Sequence, residues 1–436
     1  MNLILVELNE INFDVVQYYI DSGVSLPSMK YIIDSEMIVT SSESEYKNLE
    51  PWIQWVSVHT GKEYSEHNVF RLGDFVNSKE KQFFEQVENA GFTVGAISPM
   101  NAINNLNNPA YFIPDPWTKT NPDKSFTSRV IYDSVSQAVN DNAQSKLTIK
   151  TILSLIFVFF TMVRPNKYFF MIKYAFNALG KSWRKALFLD MLLCEVHKKL
   201  YKNKNPNFST IFLNAGAHIQ HHYFFNSPYV NSEELKNPSW YIEKKFDPIL
   251  EMLVVYDELI AEFLNQQNTE IIIATGLSQI PNTNTKSYYR LKNHKNFLDN
   301  IGINYLNVIP RMTRDFLISF KSPEEAKIAQ DLLSSILVDS EKKLFEEIDN
   351  RGKDIFVVLT YPKEIKSDTY INVAGKQINL FDKVSFVAVK NGVHCGKGYS
   401  YFSKGLSSLK PRPNSHVLNI NKTVLDYFGI EGLKKS

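Results

Sequence analysis

The residues best equipped for chemistry fall in a few short stretches. Three histidines, His218, His221 and His222, lie within five positions just after the apolar run Thr210-Ile211-Phe212-Leu213-Asn214. A further one, His394, stands in the glycine-rich stretch Asn391-Gly392-Val393-His394-Cys395-Gly396. Imidazole carries protons near neutral pH and binds metals. Glu7, Asn9 and Glu10 close the first apolar run, Glu50 precedes Pro51, and Thr275 and Gln279 follow the run Glu270 to Ala274. Such a set supports two kinds of chemistry. In a metal-free acid and base site, Glu50 or His221 could act as general base, with His218 and His394 as further catalytic groups. Alternatively, the histidines, as common metal ligands, could hold an ion. Asn9, Glu10, Trp52, Thr275 and Gln279 are candidates for substrate binding. The plain alternatives are that Glu50 is an ordinary helix-start carboxylate and that His222 only packs.

These groups need elements to hold them. The stretch Asn48-Leu49-Glu50-Pro51-Trp52-Ile53-Gln54-Trp55-Val56-Ser57-Val58-His59-Thr60-Gly61 reads as a short helix, because Pro51 suits a first turn and Gly61 a stop. Its N-terminus would attract an anion through free N–H groups and the helix dipole. Leu3 to Leu8, Phe92 to Ile97, Thr210 to Asn214, Glu270 to Ala274, Asp315 to Phe320, Asp354 to Thr360 and Val384 to Val389 read as strands. Helices are expected from Glu80 to Ala90, from Pro248 to Leu264, and from a Ser322 cap with Pro323 and Glu325 to about Ile336. Strand and helix alternate, which predicts an α/β fold with a mostly parallel central sheet and helices on both faces. Its site would lie at the carboxyl ends of the strands. His394 is expected in a loop after Val384 to Val389, and the Asn- and Pro-rich stretch 101–123 in an irregular loop. The expected organisation is a core domain in three parts, 1–145, 206–285 and 381–436. A basic apolar helical insertion at 146–205 and a small α/β lobe at 286–380 interrupt it.

The 436 residues are 44% hydrophobic and 22% charged, which describes a folded chain with a large core. A net charge of +2 is too small to make nucleic acid a partner. Cys194 and Cys395 stand far apart and form neither a disulfide framework nor a metal knuckle. The start of the chain lacks the basic leader and cleavage site of a signal peptide, so a cytoplasmic location is expected. A peripheral position at the inner membrane face is suggested by the stretch Lys146 to Lys204, where basic residues greatly outnumber acidic ones around the apolar run Ile152 to Phe160. Pro165 ends that run short of the roughly 20 residues a spanning helix needs. Two readings remain: a helical segment lying on anionic headgroups, or a buried helical cap with a solvated basic face.

The order of these motifs resembles the alkaline phosphatase superfamily, within it the type I phosphodiesterase, nucleotide pyrophosphatase and sulfatase-like branch. In that family a first strand ends in a metal-binding Asp-Gly. A nucleophilic Thr, Ser or Cys then opens a helix that closes in Thr-Gly and is followed by His-Gly. Asp-x-x-x-His, Asp-His-Gly and a last His in a Gly-rich loop come later. Leu8-Asn9-Glu10 with Phe13-Asp14 looks like the first motif and Pro51 to Gly61 with His67 like the second. Ala217 to His221 resembles the third, Ala274-Thr275-Gly276-Leu277 the fourth and Val393-His394 the last. Pro51 stands at the nucleophile position, Asn9 at the strand-end Asp, Ala217 at the next Asp, and Thr275-Gly276 at the Asp-His pair. His221 and His394 alone keep the usual ligand types, so the resemblance implies no metal or a single divalent ion such as zinc on these two. The resemblance implies an alkaline-phosphatase-like hydrolase or transferase acting on a phosphorylated or nucleotide-activated small molecule, with the usual two-metal site degenerate. Joined to the basic insertion, it suggests a lipid-linked glycan as acceptor in surface-glycan assembly. The alternative is a non-catalytic relative that binds a glycan, a membrane or a protein partner.

Overall fold

The computed structural model describes residues 2–35, 37–141, 149–311, 314–373 and 375–430. The chain divides into two compact units, one comprising Met1–Lys236, Lys244–Pro281 and Gly392–Ser436, the other Asn237–Glu243 and Asn282–Asn391.

The first unit is built on a seven-stranded sheet. Its strands are β1 (Asn2–Leu8), β2 (Ile38–Ser41), β3 (Val94–Ile97), β4 (Tyr111–Ile113), β5 (Phe208–Leu213), β6 (Thr269–Ala274) and β7 (Lys397–Phe402). Their spatial order is β2-β7-β6-β1-β5-β3-β4. β1 pairs in parallel with β5 and β6, placing Leu5 opposite both Thr210 and Ile272. β7 runs antiparallel to both of its neighbours, and the remaining pairings are parallel.

Both faces of β1 are buried, which is why Leu3 to Leu8 is continuously apolar apart from Glu7 rather than alternating. Leu3 and Leu5 pack with Trp55 and Val58 of α1 (Pro51–Thr60) and with Phe83, Phe84 and Val424. On the other face, Ser209 sits in register with Ile4, and its hydroxyl meets His197 Nε2 of α4 (Ser182–Lys204) at 2.9 Å. Between these elements run α2 (Ile149–Met162) and α3 (Tyr168–Asn177). α5 (Ala215–Tyr223) follows β5 directly, and α6 (Pro248–Leu264) precedes β6. The expected insertion at 146–205 therefore divides into unlike parts. α4 buries Leu187, Leu193, Val196 and Leu200 and belongs to the layer covering the sheet, whereas α2 and α3 keep large apolar side chains on the outside.

The second unit has its own core around Phe297, Phe316, Phe345 and Ile355. Two four-stranded sheets form it, and every recorded pairing in them is antiparallel. The helix Pro323–Ser335 starts where Ser322 Oγ accepts the Glu325 N–H. The strands Ser278–Leu291 and Val384–Cys395 carry the chain into this unit and out of it. His394 therefore lies near the end of a twelve-residue strand, not in a loop.

The sheet direction explains where a site can form. β1, β5 and β6 end at one edge and release residues 9–10, 214–221 and 275–279 there. The antiparallel β7 enters the sheet at that same edge, so the preceding residue His394 arrives among them. At the far side, a Cβ on Gly95 would lie 2.3 Å from the Tyr111 ring, whose hydroxyl is tied to Ser209 at 2.7 Å. Gly95→Ala is expected to cost about 1–3 kcal/mol through this overpacking. A urea unfolding curve should show a lower midpoint with an unchanged slope.

Candidate metal centre

Past the end of β1 the chain turns sharply at Glu10, whose φ of 65° is left-handed. For a residue other than glycine this costs roughly 1–2 kcal/mol. The turn is held from several sides. Glu10 N–H donates to the Thr275 carbonyl at 3.0 Å, and Gln220 Nε2 donates to the Glu10 carbonyl at 2.8 Å. Asn12 Nδ2 donates to the Gln279 carbonyl at 2.8 Å, and Asn12 N–H donates to Gln220 Oε1 at 3.2 Å. The consequence is a carboxylate aimed at α5 and His394 with 2% of its surface exposed.

Glu10 Oε2, His221 Nε2 and His394 Nε2 form a triangle whose three sides all measure 3.2 Å. Three donors on one tetrahedral ion at roughly 2.0–2.1 Å stand roughly 3.3–3.4 Å apart. Direct hydrogen bonding explains the triangle poorly, because one carboxylate oxygen and two ring nitrogens would have to share protons along all three sides. A divalent cation held by all three atoms would satisfy them at once.

The opposite ring nitrogens agree with this. His221 Nδ1 faces the Gly392 carbonyl at 3.3 Å, and His394 Nδ1 faces Glu50 Oε2 at 3.5 Å. Each acceptor favours a proton on Nδ1 and so leaves the Nε2 lone pair free to ligate, the arrangement that orients metal-binding histidines. Burial pushes the Glu10 carboxyl up, but the charges and hydrogen bonds of His394 and His221 outweigh it and hold the group far below the usual carboxylate range. One anion and two imidazoles match a divalent ion in charge and donor type. Among the described residues, this is the one set of three such side chains with converging ligand atoms.

The remaining sequence candidates take other places. Glu50 precedes the first turn of α1 and backs His394, with its side chain 31% exposed. Asn9 is no free substrate contact. Its Oδ1 accepts Trp55 Nε1 at 2.8 Å, and its Nδ2 donates to Asn214 Oδ1 at 2.8 Å and to Glu10 Oε1 at 3.0 Å. Glu10, expected to bind substrate, lies with His221 and His394 as the third candidate ligand. Gln279 Nε2 donates to Glu10 Oε2 and, at 3.0 Å, to the Ala217 carbonyl, so it braces the ligand. The Thr275 hydroxyl accepts the Tyr399 N–H at 2.9 Å and serves the backbone. Trp52 points away, its indole N–H donating to the Phe70 carbonyl at 3.0 Å. His218 is not in the triangle. It packs against His222 with ring centroids 4.4 Å apart, and burial pushes it down to about 4 and His222 well below its usual value, so both are neutral. Glu7 and His59 pair with each other at 3.2 Å, both fully buried on the α1 side of β1.

Sequence reading missed Trp55, Gln220 and Gly392. Gln220 beside His221 carries no signal of its own. Gly392 has a reason that only contacts show: a Cβ there would lie 2.2 Å from Gln279 Oε1 and 2.7 Å from the Gln220 carbonyl.

α5, which carries His221, is positioned by a buried carboxylate at its start. Asp190 Oδ2 accepts the Ala215 N–H at 2.9 Å and the Tyr256 hydroxyl proton at 2.6 Å, while that hydroxyl accepts the Gly216 N–H at 2.9 Å. Burial pushes Asp190 up to about 6. Its raised folded value means that its contribution to stability is complete at low pH and is lost as pH rises through about 6.

Two outcomes follow from this geometry. Glu10→Gly relieves the left-handed strain but takes the carboxylate away from Asn9, Gln279 and the two imidazoles, so the thermal midpoint should fall at neutral pH and divalent-ion uptake should be lost. Asp190→Asn should flatten the pH dependence of unfolding: between pH 4 and 7 the native protein should lose on the order of 3 kcal/mol relative to the variant, measured by urea unfolding across that range.

No known family model matches the chain, and no curated protein matches it. Among solved structures it is similar to phosphonoacetate hydrolase from Sinorhizobium meliloti 1021, at 12% identity over 97% of this chain and 95% of that one, with a TM-score of 0.42. It is also similar to human ectonucleotide pyrophosphatase/phosphodiesterase 5, at 11% identity over 100% and 97%, TM-score 0.43. A third is the alkaline phosphatase of the Antarctic bacterium TAB5, at 8% identity over 99% of each chain, TM-score 0.42. All three are members of the alkaline phosphatase superfamily. At these scores they assign neither activity nor ligand, and the chemistry has to come from the side chains present.

Proposed function

We propose that this chain is a metal-dependent hydrolase or transferase acting on a phosphorylated or nucleotide-activated substrate, with one divalent ion held by Glu10, His221 and His394. The observation that carries this reading is the 3.2 Å triangle of ligand atoms with an acceptor behind each imidazole. When bound, the ion supplies Lewis-acid polarisation of a substrate oxygen at a position the three protein donors leave open.

The chain's own residues divide the rest of the work. Glu10 offsets part of the ion's charge, and Gln279 and Asn9 fix its two oxygens. Pro51 offers no nucleophilic atom at the start of α1, so the attacking group is water or an acceptor hydroxyl. Glu50, partly exposed beside His394, takes the proton from that group as the new bond to phosphorus forms and the bond to the leaving oxygen breaks. The phosphorus substrate class is supported by the ordered motifs from Asn9 to His394. Within that class, a lipid-carried acceptor such as a lipid-linked glycan is the finer reading, supported by the basic, outward-facing apolar helices α2 and α3.

Calorimetric titration of chelator-stripped protein with zinc or manganese should show one ion per chain. Glu10→Gln and the double change His221→Ala with His394→Ala should weaken uptake by about 100-fold or more. Loaded protein should release p-nitrophenol from bis(p-nitrophenyl) phosphate or cleave nucleotide sugars; Glu50→Gln should weaken metal affinity by about 10-fold through His394 and, at saturating metal, still lower kcat by about 100-fold or more. Uptake untouched by Glu10→Gln would remove the metal assignment. Normal uptake without turnover on either substrate type would leave the binding-only relative as the better reading.

A further inference from the structure

A second feature, independent of the metal centre, lies on α2 and α3. Among the described residues, 21 large apolar side chains are exposed, and ten of them fall between positions 152 and 179. On α2, Leu153, Ile156, Phe157 and Phe160 follow helical spacing along one face; on α3, Phe169 and Phe176 stand 80% and 70% exposed. A cluster of this density on a folded unit marks an interaction surface.

The inner sides of the same helices are already committed. Val158, Met162 and Met171 are buried, and the bend between the helices is fixed by Arg164. Its backbone N–H and Nε reach Glu195 Oε2 of α4 at 3.0 and 2.9 Å, and its Nη2 reaches Glu262 Oε2 of α6 at 2.8 Å. Lys198 and Lys167 join the same carboxylates. The apolar face is thus mounted on a tied base rather than hanging from a loose loop.

Charge decides the occupant. Positions 149 to 189 contain seven Lys or Arg and no Asp or Glu; Arg164, Lys167 and Arg184 pair with Glu195, Glu262 and Glu251, and Lys173, Lys181 and Lys185 set the sign of the face. A second copy of the same face would bring positive against positive. An anionic lipid surface offers apolar depth and opposite charge together. Length decides the geometry. α2 is 14 residues and α3 is 10, about 21 Å and 15 Å long, against about 30 Å of hydrocarbon. The pair is bent by 119° at Arg164 and Pro165, where a charged group cannot sit at the centre of a bilayer without cost. We propose that α2 and α3 lie flat in the headgroup region of an anionic membrane, with Phe157, Phe160, Phe169 and Phe176 inserted and Lys173 and Lys185 at the phosphate level.

Sedimentation of the full chain with vesicles tests this. Vesicles of phosphatidylcholine with about one third phosphatidylglycerol should carry the protein down, and pure phosphatidylcholine should carry far less. Phe169→Ser with Phe176→Ser, and separately Lys173→Glu with Lys185→Glu, should each reduce vesicle affinity by about tenfold or more at an unchanged thermal midpoint, because these four side chains are exposed. Protein that stays in the supernatant with the anionic vesicles overturns the proposal, as does equal binding to neutral ones. A dimer in solution that the phenylalanine pair dissolves, without vesicle binding, assigns the face to a second copy instead.

Discussion

A buried carboxylate needs positive charge within reach, and here that need is concentrated on Glu10. The residue sits in a left-handed turn at the end of the central strand, with its side chain directed between two imidazoles. The main-chain bonds that hold the turn come from β6 and α5, so neither the strand order nor the entry of His394 beside β7 can change without disturbing it. Strain of this kind persists only where the surroundings over-determine it. Around Glu10 they do: Gln220, Gln279, Asn12 and Asn9 each spend a hydrogen bond on the turn or on the side chain.

The same packing explains why charge is missing where the resembling motifs would place more of it. Asn9 is neutral, and its oxygen and nitrogen are both engaged, one with the Trp55 indole. Trp55 in turn lies over Gly276, where a Cβ would come within 3.2 Å of the ring. An aromatic ring and a paired amide fill that side of the site with low-charge groups. Positive charge is therefore expected only on the side where Glu10 supplies the balancing anion.

Much of the fold was legible because its signals are local. Pro51 and Gly61 bound α1, Ser322 with Glu325 starts the helix in the second unit, and the apolar runs at 3–8, 210–213 and 270–274 are buried strands of the sheet. The site was legible as a list of residues but not as roles. Nothing in the sequence says that a glutamate adopts a left-handed turn, so Glu10 read as a substrate contact. The glycines around His394 read as a loop, yet Gly392 is small because two glutamines press on it within a strand. His218 shares a helix with His221, but only packing shows that it turns to His222. The stretch 146–205 has one composition and two fates, since α4 differs from α2 and α3 in what covers it.

Pro51 at the first turn of α1 has a stereochemical consequence. An enzyme that first hands phosphorus to its own side chain and then to a second acceptor turns the centre over twice and returns it to its original hand. With no such side chain at this helix start, the transfer proposed above would take place in one in-line step. A substrate made chiral with sulfur and heavy oxygen would leave with its configuration inverted.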